Sequence, residues 1–158
     1  MNTTVQMYDQ PPQPAPDADS EAFWQATAAG RLTICRCTSC RLWLQPPLER
    51  CRVCNGPTAF EEISGNGEVY SFIVVRQASV PGYLTDLPYA VVLVELDEQK
   101  GLRLPSRIIG TPIESIRVGM RVKAELVPLS GGDYVVPIFR EDNRAASAPT
   151  VLQPATTF

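Results

Sequence analysis

Two cysteine pairs constrain this chain more than any other feature: Cys37-Thr38-Ser39-Cys40, then ten residues, then Cys51-Arg52-Val53-Cys54. A C-x-x-C pair on one tight turn can offer two sulfurs to one ion, and two such turns complete a tetrahedron. Cys37, Cys40, Cys51 and Cys54 are therefore the expected metal ligands. Zinc prefers a closed thiolate tetrahedron and has no redox chemistry, so the expected role is structural. Rubredoxin-type iron is the rival, but the ten-residue spacer is short for that module. Cys35 falls on the same strand face as Cys37. A C-x-C pair fits a metal turn poorly, and the expectation is a small packed hydrophobe.

Composition narrows the chemistry further. The chain has 158 residues, 44% apolar and 20% charged, which suits a globular, soluble protein. No apolar run reaches the ~20 residues of a membrane span. The first ten residues lack the pattern of a secretory signal. Four of the five cysteines are in metal spacing, so a reducing cytoplasm is the expected location. There is no histidine, which excludes Ser-His-Asp and Cys-His catalysis within these residues. The formal charge is −3; four thiolates and a divalent ion would shift it by −4 + 2, to −5. That argues against nucleic acid as a partner, because cations on phosphates dominate such affinity.

Along the chain, residues 1–18 read as a proline-rich extended head, with Pro11, Pro12, Pro14 and Pro16 close together. A helix follows, capped by Asp19 or Ser20 and ended by Gly30. Phe23 and Trp24 on it either pack on the domain or dock another subunit. Arg31 to Cys35 alternates as a first ribbon strand, and Trp43, Leu44, Pro46 and Pro47 are expected to form a hairpin covering the metal. Helix and ribbon occupy residues 19–56. Residues 57–141 are mainly β, with strands at 68–76, 89–96, 102–109, 121–126 and 134–139. Pro137 places the last at an edge or bulge. Strand count and size best match a small, partly open oligonucleotide/oligosaccharide-binding (OB) barrel, with a sandwich as the alternative. Residues 142–158 read as a flexible or partner-bound tail.

An ordered set of motifs carries a family resemblance. Phe23-Trp24, Gly30-Arg31-Leu32, Arg36-Cys37, Cys40, Pro46-Pro47, Cys51-x-x-Cys54, Gly65 through Phe72, Pro88-Tyr89 and Gly119-Met120-x-Val122 span residues 20–140. Together they resemble the acyl-CoA-associated family once called domain of unknown function 35. The chain departs from that pattern at Arg41, where a glycine is usual. The resemblance implies an N-terminal helix, a rubredoxin-like zinc ribbon and a five-stranded OB-fold barrel. It also implies a small accessory subunit of a thiolase-superfamily enzyme, with a thiolase-like catalytic chain as partner and an acyl-CoA thioester as shared substrate. The partner would supply the catalytic cysteine or its equivalent, and this chain no catalytic residue. Of the family's functional residues, only the four zinc ligands carry over position by position.

The residues alone agree that a complete C–C bond mechanism is hard to build here, since such chemistry needs a nucleophilic thiolate and bases. Arg103 and Arg107, on one strand face, are candidates to meet CoA phosphates, and Tyr83 to stack on adenine or line an acyl channel; a solvated charged face and an ordinary loop are the plain alternative. Two other functions remain on the sequence: a zinc-ribbon OB-fold module for single-stranded nucleic acid, and a small electron carrier.

Overall fold

The computed structural model describes residues 10–77 and 80–143. The tail beyond 143 and the first nine residues lie outside the described residues. From Gln10 onward the proline-rich head is docked. Pro11 is buried. The Gln13 side chain donates to the carbonyl oxygen of Ser130 at 2.9 Å. Gly82 and Gly132 accept the head because they lack a side chain: a Cβ on Gly82 would lie 2.1 Å from the Pro11 nitrogen, and one on Gly132 2.2 Å from Gln13 Oε1.

Helix α1 (Glu21–Ala28) follows. Ser20, one of the two expected residues, is its N-cap, and Asp17 in the turn before it supplies the side-chain bonds. The Ser20 N–H donates to the Asp17 carboxylate (2.9 Å) and the Asp17 N–H to Ser20 Oγ (3.1 Å), a reciprocal capping arrangement. Gly30 ends the helix with φ +77. Its N–H bonds Thr27 and the next N–H, of Arg31, bonds Ala26, a Schellman closure that satisfies two terminal carbonyls. Phe23 packs against the barrel core, and Trp24 stands edge-on to Tyr134 with ring centroids 5.5 Å apart. Both aromatics are half-buried.

The ribbon is a three-stranded antiparallel sheet in the order β2-β1-β3: β1 (Thr33–Cys37), β2 (Trp43–Leu44) and β3 (Thr58–Glu62). Two expectations change here. Residues 58–62, read from sequence with the barrel, pair with β1 throughout, from Thr33↔Glu62 to Cys37↔Thr58. Trp43 and Leu44 do not form a separate cover for the metal. They pair with β1, and their side chains point opposite ways, as strand alternation requires. Leu44 packs with Cys35, Cys37 and Cys51, whereas Trp43 enters the barrel core.

The barrel contains β4 (Asn66–Val75), β5 (Tyr89–Leu96), β6 (Arg103–Ile108), β7 (Arg121–Pro128) and β8 (Val135–Glu141). It is closed, in the order β4-β5-β6-β8-β7. The closing seam is thin: β6 and β8 run parallel and pair at Ile108↔Phe139. Pro105 and Pro137, on the two strands of this seam, lack the N–H that a longer ladder would need. Ser106 Oγ instead donates to the Pro137 carbonyl at 2.5 Å. The interior is filled by Val69, Val92, Val94, Leu96, Met120, Val122 and Phe139, all at or below 2% exposed. β5 shows the pattern most simply, its residues alternating half-buried and buried along its whole length.

Candidate metal centre and its surroundings

The first C-x-x-C turn leaves β1 and the second joins the loop after β2 to β3. The two turns make matching backbone bonds. The Arg41 N–H donates to the Cys37 carbonyl (3.1 Å) and the Asn55 N–H to that of Cys51 (2.9 Å). The Cys37 N–H donates to Leu42 and the Cys51 N–H to Gly56, both at 2.9 Å. Backbone N–H groups also point at sulfur: Cys40 N to Cys37 Sγ and Val53 N to Cys51 Sγ, each 3.4 Å.

These turns bring all four predicted ligands together. The sulfurs of Cys37, Cys40, Cys51 and Cys54 lie within 4.8 Å of one another. The Cys37–Cys54 and Cys40–Cys51 sulfur pairs are 3.4 and 3.6 Å apart. A tetrahedron with zinc–sulfur bonds of ~2.3 Å has edges of about 3.8 Å, so the donor set fits a zinc ion with small adjustments. Cys37 and Cys51 are buried, while Cys40 and Cys54 lie at the surface. The N–H of Cys40 helps hold the Cys37 thiol down to about 6. Cys40 goes the other way, to about 12: the Leu42 N–H favours its thiolate, but the Cys54 and Cys51 sulfurs, with burial, outweigh that bond. Crowded thiols cannot all ionise alone, and a divalent cation removes that conflict.

Cys35 stands apart from this cluster. It is 2% exposed and its thiol points at the Leu48 carbonyl oxygen, 3.6 Å away. It behaves as the packed residue its poor spacing implied.

Both turns place the residue after the second cysteine in the left-handed region: Arg41 at φ +67 and Asn55 at φ +56. Asn tolerates this conformation; for Arg the Cβ clash is on the order of 1–2 kcal/mol. What holds Arg41 there was not legible in its neighbours. Its guanidinium makes two bonds to Glu61 on β3, at 2.6 and 2.8 Å. Arg36 on β1 adds a bond to the same carboxylate (3.0 Å) and one to the Arg41 carbonyl (2.8 Å). The Arg36 guanidinium lies 4.4 Å from the Trp43 ring centroid. The hydrogen bonds from Arg41 and then Arg36 hold the Glu61 carboxyl below its usual range.

The ribbon is locked onto the barrel at Trp43. Its N–H donates to Gln99 Oε1 (2.9 Å), and Gln99 Nε2 donates back to its carbonyl (3.3 Å). An apolar cleft of about 380 Å³ is bounded by Phe23 and Trp24 of α1, Pro47 and Phe60 of the ribbon, and Leu104 and Val136 of the barrel.

Arg103 and Arg107 do share the outer face of β6, alternating with buried Leu104 and Ile108. Each already has an acidic neighbour. Arg103 bonds Glu95 at 3.1 Å and stacks 3.4 Å from the Tyr70 centroid. A register shift in β4 between Val69 and Ser71 accompanies Tyr70's outward position. Arg107 bonds Asp86 at 2.8 Å and lies between Tyr83 and Tyr89, 4.9 and 4.7 Å from their centroids. Its Nε is buried with no hydrogen-bond partner. No helix among the described residues is long and apolar enough to cross a membrane.

Comparison with known proteins follows the same two-part division. Residues 24–61 match the rubredoxin-like zinc ribbon domain of ChsH2, and residues 60–127 match the ChsH2 C-terminal OB-fold domain. A solved structure described as an Ltp2-ChsH2(DUF35) aldolase is similar with a TM-score of 0.74 and 32% identity, over 82% of this chain and 98% of that one. A DUF35 domain-containing scaffold protein of Methanocaldococcus jannaschii is 36% identical over 91 residues, 56% of this chain and 62% of that protein. A probable enoyl-CoA hydratase alpha subunit of Thermomonospora curvata is 33% identical over 133 residues, 82% of this chain but 39% of the relative. The chain thus spans well under half of that hydratase subunit and about three fifths of the scaffold protein. With a zinc ribbon, a closed OB-fold barrel and four clustered thiols in the same order, this chain belongs to the DUF35 family.

Proposed function

We propose that this chain is an accessory, non-catalytic subunit of a heteromeric thiolase-superfamily enzyme acting on acyl-CoA, of thiolase or retro-aldolase type. In this reading zinc in the ribbon is structural, and the chain supports the catalytic subunit and helps bind the CoA thioester. The observation that carries it is the likeness to the Ltp2-ChsH2(DUF35) aldolase over nearly the whole of that chain. The described residues support the same division of labour. The thiol outside the zinc cluster, Cys35, is buried against a carbonyl, and the chain has no histidine to serve as its base. The apolar cleft between helix, ribbon and barrel offers a surface where a partner chain or an acyl group can be covered.

Arg107 is the better of the two candidate CoA contacts. Like Arg103 it already bonds a carboxylate, Asp86, but its Nε has no hydrogen-bond partner, so a shift of the side chain toward a phosphate would satisfy one more donor. The experiment is to read the neighbouring reading frames for a thiolase-like protein, co-express that protein with this chain, and purify through a tag on this chain. A stoichiometric complex that binds acyl-CoA in calorimetry is expected, with affinity reduced by Arg107→Glu. A chain that purifies alone beside such a partner would sink the reading. An intact complex with unchanged affinity in Arg107→Glu would remove only the arginine. A gel shift with single-stranded oligonucleotide at moderate salt tests the nucleic-acid alternative, and no shift is expected.

A further inference from the structure

The two metal turns face the same backbone requirement and meet it with different residues. Asn55 and Gly56 close the second turn. Arg41, a long β-unbranched cation, closes the first at φ +67. Within the turn, Arg41 is held by one bond, its N–H to the Cys37 carbonyl. The remaining restraints come from the sheet. Glu61 of β3 grips the guanidinium through both carboxylate oxygens, and Arg36 of β1 holds the Arg41 carbonyl. Arg36 is itself fixed twice, on Glu61 at 3.0 Å and on the Trp43 ring. β1 and β3 are paired at Ile34↔Glu61 and Arg36↔Ala59, so the grip comes from a rigid ladder rather than a loop.

We infer that Glu61 and Arg36 are positioning residues for the metal. They hold Arg41 in the left-handed conformation that brings Cys37 and Cys40 together, a task that a glycine at position 41 would perform unaided. An isolated surface ion pair contributes little, but this carboxylate is shared by two guanidiniums, one from the metal turn and one from the β1 ladder. The inference concerns the ribbon alone and stands whether or not the chain has a catalytic partner.

The test uses the full chain loaded with cobalt(II), read by its thiolate charge-transfer and ligand-field bands and by competition with a chromophoric chelator. Arg41→Ala keeps the left-handed requirement and loses the grip, so its cobalt affinity is expected to fall about tenfold. Arg41→Gly is expected to bind like the parent. Glu61→Gln is expected to weaken binding in the parent and to have no effect in the Arg41→Gly background. That rescue separates positioning from a general loss of ribbon stability. If Glu61→Gln fails to fold, Arg36→Gln in the parent and Arg41→Gly backgrounds takes its place beside the comparison of Arg41→Ala with Arg41→Gly. Equal affinities for those two variants, or an undiminished Glu61→Gln effect on top of Arg41→Gly, would overturn the inference.

Discussion

Arg41 and Asn55 occupy the same place in two matching turns, yet only one of them is a residue type that favours its conformation. Cys35 and Cys37 give the complementary lesson: two like residues on one strand, with different fates. Alternation puts both on one face of β1, but the C-x-x-C geometry recruits only Cys37. Cys35 is packed with Leu44 and the buried ligands instead. Cys35→Ala is therefore expected to leave the cobalt(II) spectrum unchanged while lowering stability by about 1–2 kcal/mol, the scale of a small core truncation. A chemical denaturation series on the metal-loaded protein measures the cost. Loss of one thiolate from the spectrum would instead make Cys35 a ligand.

At the scale of elements, what matters is how each strand end is tied to its neighbours. β5 ends at Leu96, and the next residue, Asp97, receives both arms of Arg121 at the start of β7, at 2.8 and 2.5 Å. The hydrogen bonds from Arg121 lower the Asp97 carboxyl below its usual value. A depressed carboxyl contributes stability above its unfolded value, and that contribution is lost as pH falls through the folded value. The melting temperature of the parent should therefore exceed that of Asp97→Asn above about pH 4, and the difference should shrink as the pH falls below it. A gap that stays constant down to acid pH would assign the effect to packing. β4 and β5 were legible because β-branched and aromatic residues fill them, and β7 because apolar and charged residues alternate along it. β3 was placed in the wrong sheet because Thr58–Glu62 has little apolar alternation of its own, and only its partner β1 decides where it belongs.

For the molecule as a whole, one face of the zinc ribbon joins the barrel core, while the buried ligands pack in a second cluster of their own. Trp43 leaves the ribbon to join Val92, Leu104 and Phe139, and the Gln99 amide closes the junction with two backbone bonds. A ribbon of this size buries too little apolar area to fold alone, and metal binding then contributes folding energy directly. Chelation of the metal should therefore release the ribbon first. The barrel, with its own buried interior, should retain β-type circular dichroism while Trp43 fluorescence changes. Simultaneous loss of both signals at one chelator concentration would instead show a single cooperative unit.

The sequence by itself determined the four ligands, five barrel strands and the helix stop at Gly30, because spacing, alternation and a positive-φ glycine act over a few residues. Their physics is local, so it survives in the string of letters. Only the tertiary structure decided that Trp43 serves the barrel and Leu44 the metal. It likewise decided that a proline-rich head lies down on Gly82 and Gly132, and that Glu61 supports a turn twenty residues earlier in the chain. Each of these depends on which surfaces meet after folding. An apolar pattern says that a side chain will be buried, but the partner that buries it is chosen by long-range packing and by hydrogen bonds between distant strands.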